Sequence, residues 1–181
     1  YEVAFGVTLR EVLDMAGARD VKAVQVGGPS GQMVGPDAFG RKICYDDLAT
    51  GGSIVIFGKN RDVLQIASYY MDFFIEESCG YCTPCRVGNV LLKQRLDKLI
   101  HGKGEPADLD YLGDLGTKVK AASRCGPGQT SPNPILTSLK NFRSEYEKHV
   151  EEEKQGFVPT FSLHEAVEQA EALAGRRSVH L

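Results

Sequence analysis

Cys79, Cys82 and Cys85 stand in a Cys-x-x-Cys-x-x-Cys run, and Cys125 follows later in the chain, within Cys125-Gly126-Pro127-Gly128. Cys44 has no neighbour at metal-ligand spacing. Five cysteines is an odd count, and the sequence opens without a basic, then apolar leader, so a disulfide framework is a poor reading. Thiolates at three-residue steps are metal ligands suited to a reducing compartment, which points to the cytoplasm. A cubane iron–sulfur cluster takes one thiolate per iron, about four in all. One short loop can supply three of them, and a second loop must supply the fourth. The predicted ligand set is therefore Cys79, Cys82, Cys85 and Cys125. Zinc is the competing use of the same side chains, but zinc sites commonly pair two separated Cys-x-x-Cys steps, and the split here is three plus one. A thioredoxin-type redox pair belongs beside a βαβ unit, and nothing around the run reads as one.

These ligands need two loops at one end of a helical framework. Val63, Ile66, Ala67, Tyr70, Met71, Phe74 and Ile75 recur at helical spacing and predict a helix from Asp62 to near Glu77, just before Cys79. Pro84 suits the first turn of a second helix, which Val87, Val90, Leu91, Leu96, Leu99 and Ile100 give a core side and Gly102 and Gly104 end. A third covers about 107–122 and carries two poor helix formers, Gly113 and Gly116. Residues 125–129 read as a tight non-helical loop. Asn133-Pro134 opens a fourth helix through about Lys148, with Ile135, Leu136, Leu139, Phe142 and Tyr146 inward. Antiparallel helices with short links make an up-and-down bundle, which puts both cysteine loops at the same end.

Ahead of the helices, Thr8-Leu9-Arg10-Glu11 is a capping box for a helix over 9–16, with Gly17 placed to stop it. Val21, Val24 and Val26 mark a strand that runs into the turn cluster Gly27-Gly28-Pro29-Ser30-Gly31, and 53–57 is a β-branched strand. The expected fold class is α+β. A small ubiquitin-like β-grasp domain spans 1–58, and an all-α four-helix bundle carrying the cluster spans 59–150. A charged linker and short amphipathic helix follow over 151–181, with Ser162-Leu163-His164-Glu165 as a second capping box.

Twenty-one Lys and Arg against 24 Asp and Glu leave a net charge of −3, with no basic footprint for nucleic acid. No run approaches the roughly 18–20 apolar residues that span a bilayer. The Gly27–Gly31 cluster lacks the Gly-x-Gly-x-x-Gly spacing and following helix of a phosphate loop. His101, His149, His164 and His180 are dispersed, and no Ser-His-Asp or paired-carboxylate arrangement is present. Arg86 directly follows the third cysteine and Arg124 directly precedes the fourth. One or both are expected to tune an anionic cluster or to satisfy loop carbonyls, the alternative for each being a solvated surface arginine.

The stretch Glu77-Ser78-Cys79-Gly80-Tyr81-Cys82-Thr83-Pro84-Cys85-Arg86 resembles the iron–sulfur motif of the NADH-binding flavoprotein subunit of respiratory complex I. That subunit type also serves NAD-reducing nickel–iron hydrogenases and NAD-dependent formate dehydrogenases. Its second half is present as Ser123-Arg124-Cys125-Gly126-Pro127-Gly128-Gln129-Thr130. Pro127 stands where the family has a larger apolar residue. Val87-Gly88-Asn89-Val90-Leu91-Leu92 looks most like the hydrogenase diaphorase alpha (flavin) subunit. The resemblance covers about residues 1–150. It implies a [4Fe–4S] cluster on Cys79, Cys82, Cys85 and Cys125 and an electron-transfer role in a multisubunit NAD(H)-dependent oxidoreductase. FMN and NAD(H) would sit in an upstream flavin domain, since no flavin or nicotinamide fingerprint lies in this chain. The start at Tyr1 in place of Met fits that expectation. The implied partners are that flavin domain and iron–sulfur subunits. A zinc-stabilised interaction module, or a ferredoxin-like carrier acting alone, are the alternatives.

Overall fold

The computed structural model describes residues 1–150, 171–173 and 175. The Thr8 hydroxyl takes the Glu11 N–H at 3.2 Å and the Glu11 carboxylate takes the Thr8 N–H at 2.7 Å, so the predicted capping box opens α1 (Leu9–Met15). Gly17, at φ +64°, follows the end of that helix. Three antiparallel strands, β1 (Val21–Val26), β2 (Gln32–Val34) and β3 (Ile54–Gly58), form a sheet in the order β2-β1-β3. β2 is not foreseen by the pattern. It is the short return arm of a hairpin around the glycine turn, with Val26 opposite Gln32, and three residues carry too little periodicity to be read.

β1 is central and buried on both faces. Val24 and Val26 join Leu9, Leu13, Val34 and Phe39 in a core against α1, while Ala23 and Met33 join the core of the helices. Among the described residues up to 150, six helices follow: α2 (Val63–Glu76), α3 (Thr83–Ile100), α4 (Pro106–Ala122), α5 (Gly126–Thr130), α6 (Asn133–Asn141) and α7 (Arg143–Glu147). α2 packs on α3, α3 on α4, α4 on α6, and α6 back on α2. The chain is thus α+β, a small sheet joined to packed helices.

α6 also covers the outer edge of β2. The Thr137 hydroxyl accepts the Met33 N–H at 2.9 Å and the Asn141 amide donates to the Met33 carbonyl at 2.7 Å. These bonds satisfy backbone groups that an open edge strand would leave exposed.

Two expectations are corrected. Residues 126–130 are a helical turn, not an irregular loop: Pro127 sits in the first turn, where its missing N–H costs nothing, and the Ser131 N–H closes on the Pro127 carbonyl at 2.9 Å. The fourth helix is broken at Phe142 (φ −133°, ψ 37°), which separates α6 from α7. The break turns the Phe142 ring onto Gly35, where an added Cβ would lie 3.3 Å from it. The third helix forms despite its glycines because Gly116 lets α4 approach α6. A Cβ there would lie 2.9 Å from Leu136 Cδ2. The helix expected over 163–174 lies outside the described residues apart from its end at 171–173, which is helical.

The end of α3 far from the cysteines is tied to α4 by Asp108, 1% exposed. Its carboxylate takes the Glu105 N–H at 2.9 Å, pairs with Lys98 at 2.9 Å and also pairs with Arg95. Burial pushes its pKa up, but the Glu105 N–H and the two cations outweigh that and hold it below the ordinary aspartate value.

Candidate metal centre

The three-cysteine run occupies the α2–α3 loop and the first turn of α3. Cys82 is the N-cap of α3 with extended backbone (φ −103°, ψ 135°), and Cys85 lies within that first turn, 8% exposed. Cys125 is the N-cap of α5 with the same extended habit (φ −135°, ψ 166°). Both cysteine segments therefore end at helix N-termini, where backbone N–H groups lack partners within the helix.

The two segments meet at Cys82. The N–H of Arg124, from the Cys125 side, and then the N–H of Cys85 hold the Cys82 thiol below its ordinary pKa. The Ser123 hydroxyl adds a smaller contribution and has no other hydrogen-bond partner, although it is buried. Cys85 is held from two sides: Ser78 Oγ and Asn89 Nδ2 each lie 3.4 Å from its sulfur. Gly128 brings α5 against this region. A Cβ at that position would lie 2.7 Å from Ser123 Cβ and 3.1 Å from Cys85 Cβ, so only glycine allows the approach.

All five thiols are free. Cys79 and Cys125 are exposed, and among the described residues no three Cys, His or carboxylate side chains close into a ready metal-holding group. What the fold brings together is the two loops. The individual sulfurs differ in burial and partners. The residues fit an all-thiolate cluster on the chemistry of the donor set: four free cysteines stand in two segments that pack against one another at Gly128, and the buried Ser123 hydroxyl beside them has no hydrogen-bond partner other than Cys82.

Arg86 donates to the Gly80 carbonyl at 3.0 Å, which satisfies a loop carbonyl as expected. Arg124 lies over the Tyr81 ring at 5.2 Å and donates to its hydroxyl at 3.2 Å, joining the two loops across their exposed side. Cys44 follows Ile43 of the α1 core, in the segment that pairs with residues 6–8. His101 Nδ1 lies 2.6 Å from the Asp97 carbonyl and His149 is 3.8 Å from Asp62, both apart from the cysteines. His164 and His180 lie outside the described residues.

Sequence reading missed Ser78, Asn89, Ser123 and Ser131. The signal available was position: Asn89 follows Cys85 by one helical turn and so shares its face.

Residues 65–149 match the model of the NADH-ubiquinone oxidoreductase-F iron–sulfur binding region. Among known proteins it is 47% identical over 168 residues to the alpha subunit of the NAD-reducing hydrogenase HoxS of Cupriavidus necator, covering 92% of this chain and 28% of that subunit. It is 40% identical over 164 residues to the HndC subunit of the NADP-reducing hydrogenase of Solidesulfovibrio fructosivorans, covering 84% and 34%. It superimposes on a crystal structure of NAD⁺-reducing [NiFe]-hydrogenase with a TM-score of 0.78 at 34% identity, covering 99% of this chain and 32% of that one. The chain therefore spans about a third of the length of the relatives it matches. Among the described residues, no helix is long and apolar enough to cross a membrane.

Proposed function

We propose that this chain is the electron-transfer module of a NAD(H)- and flavin-dependent oxidoreductase, of the diaphorase type found in NAD-reducing hydrogenase. In this reading residues 1–58 are a β-grasp unit, 59–150 a cluster-bearing four-helix bundle, and 151–181 a linker and tail helix. Cys79, Cys82, Cys85 and Cys125 hold a [4Fe–4S] cluster. When bound, the cluster supplies one-electron transfer between the flavin of an upstream domain and the iron–sulfur centres of partner subunits. FMN and NAD(H) belong to that upstream domain, and the assembly works in the cytoplasm. The equivalent module of complex I or of a formate dehydrogenase has the same chemistry.

The observation that carries the reading is the close approach of the two cysteine segments: a Cβ on Gly128 would lie 3.1 Å from Cys85 Cβ, and Arg124 beside Cys125 donates to the Tyr81 hydroxyl of the first loop at 3.2 Å. The chain's own residues do three things there. The Cys85 N–H in the first turn of α3 favours the Cys82 thiolate. Arg86 ties down the Gly80 carbonyl so that the first loop keeps its turn. Arg124 sets a cation beside the fourth ligand and braces it on Tyr81.

The full 181-residue chain, reconstituted anaerobically with iron and sulfide, should be brown, absorb near about 400 nm and bleach with dithionite. A colourless protein that takes up stoichiometric zinc and no iron would overturn the proposal in favour of an interaction module.

A further inference from the structure

Asn89 is polar, 1% exposed and set on the core side of α3. Its amide nitrogen lies 3.4 Å from Cys85 Sγ, and its carbonyl oxygen accepts from the Ser131 hydroxyl at 2.7 Å. Ser131 is fully buried and also lies 3.1 Å from the Gly128 carbonyl. The single Ser131 hydrogen goes to the shorter of its two acceptor contacts, Asn89 Oδ1 at 2.7 Å, which sets the amide with oxygen toward α5 and N–H₂ toward the sulfur. On the other side of the sulfur, the Ser78 hydroxyl accepts the Gly80 N–H at 3.2 Å, so its own hydrogen is free for Cys85. A buried polar group of this kind is retained only where its partners are in place.

We propose that Asn89, oriented by Ser131, is a positioning residue that sets the reduction potential of the centre through the Cys85 sulfur. Hydrogen bonds to thiolate sulfur favour the more negative, reduced state and so raise the potential. The relay Ser131–Asn89–Cys85 starts immediately after α5, the short helix that follows Cys125, and ends at the buried sulfur of the first loop. The second loop thus acts on the potential through a ligand that it does not itself supply. This inference rests on the cluster reading above.

The test is a potentiometric titration of the reconstituted full chain, read by electron paramagnetic resonance, with iron counted in the same samples. Asn89→Leu should keep its iron and become harder to reduce, by about tenfold in the one-electron equilibrium, about 59 mV. Ser131→Ala should shift the same way by less, and Ser131→Thr, which keeps the hydroxyl, should restore the parent value. Full iron with an unchanged potential in Asn89→Leu overturns the inference and leaves Asn89 as a packing residue. If Asn89→Leu fails to hold iron, Ser131→Ala decides, and an unchanged potential there overturns the inference. A parent chain that binds no iron fails the cluster reading itself, a distinct result.

Discussion

Cys85 is 8% exposed and lies within hydrogen-bond reach of Ser78 and Asn89, whereas Cys79 and Cys125 open to solvent. Cys85 lies inside the first turn of α3, whereas Cys79 precedes that helix and Cys125 only caps α5, and the two segments also differ in what they are attached to. The three-cysteine loop leads into α3, an 18-residue helix that is clamped to α4 at its far end by Asp108. The Cys125 segment leads into α5, a helix of five residues that keeps its place through the close approach at Gly128 and the Ser131–Asn89 bond. Half of the site is thus positioned by a long element and half by short-range contacts. Damage to the first should appear as lost stability, and damage to the second as lost metal.

The largest effect expected from breaking the contrast is at the ligands. Cys125→Ser should lose the cluster or convert it to a form with less iron, while Cys44→Ser should keep the parent content, both read by iron and sulfide assay. Equal iron in the two variants would refute the assignment of Cys125. Next comes the long helix. Asp108→Ala removes a buried carboxylate that two cations and a cap depend on, and should cost about 3 kcal/mol of unfolding free energy in denaturant titration of the metal-free chain. The Asp108 pKa is lowered by folding, so its stabilisation is present above the ordinary aspartate pKa near 3.8 and disappears as pH falls through the lower folded value. Parent and variant curves should therefore converge in strong acid. A gap that persists at low pH would remove the charge from the explanation.

Gly128→Ala probes the other half. Its Cβ overlaps Ser123 and crowds Cys85, so it should cost about 1–3 kcal/mol. It should also release iron faster to a chelator. Gly88→Ala makes the matched control, because its Cβ would overlap Val119 between α3 and α4 and not the second loop. Iron release that tracks stability equally in both variants would erase the distinction drawn between the loops. The smallest effect belongs to Tyr81→Phe. It removes the hydroxyl that Arg124 reaches but keeps the ring beneath the guanidinium, so stability should change by about 0.5 kcal/mol or less at this exposed site. A large change in thermal midpoint would show that the exposed brace matters more than the buried contacts.

How much could be read in advance varied with the kind of signal. α2 ends within a residue or two of its predicted bounds because its apolar stripe and the Asp62 cap agree. The four candidate ligands are legible from their spacing. α5 was hidden because Gly-Pro-Gly has no helical preference; it forms with the packing at Gly128 and the backbone bonds from Gln129 to Cys125 and from Ser131 to Pro127. The break at Phe142 was hidden for the opposite reason. The apolar period continues across it, and Phe142 packs in the helical core and against Gly35, a contact distant in sequence that the local pattern does not carry. Asn89 was illegible in role because a polar residue on a helix is normally solvated, and its burial depends on α5.

The central claim is that both loops together hold one redox-active cluster. Its most direct test is a dithionite titration of the anaerobically reconstituted full chain, with electrons, iron and sulfide counted per chain. The account predicts about four iron and four sulfide, with uptake of about one electron and a new paramagnetic signal. Zinc in place of iron, or iron that takes up no electron, would contradict it.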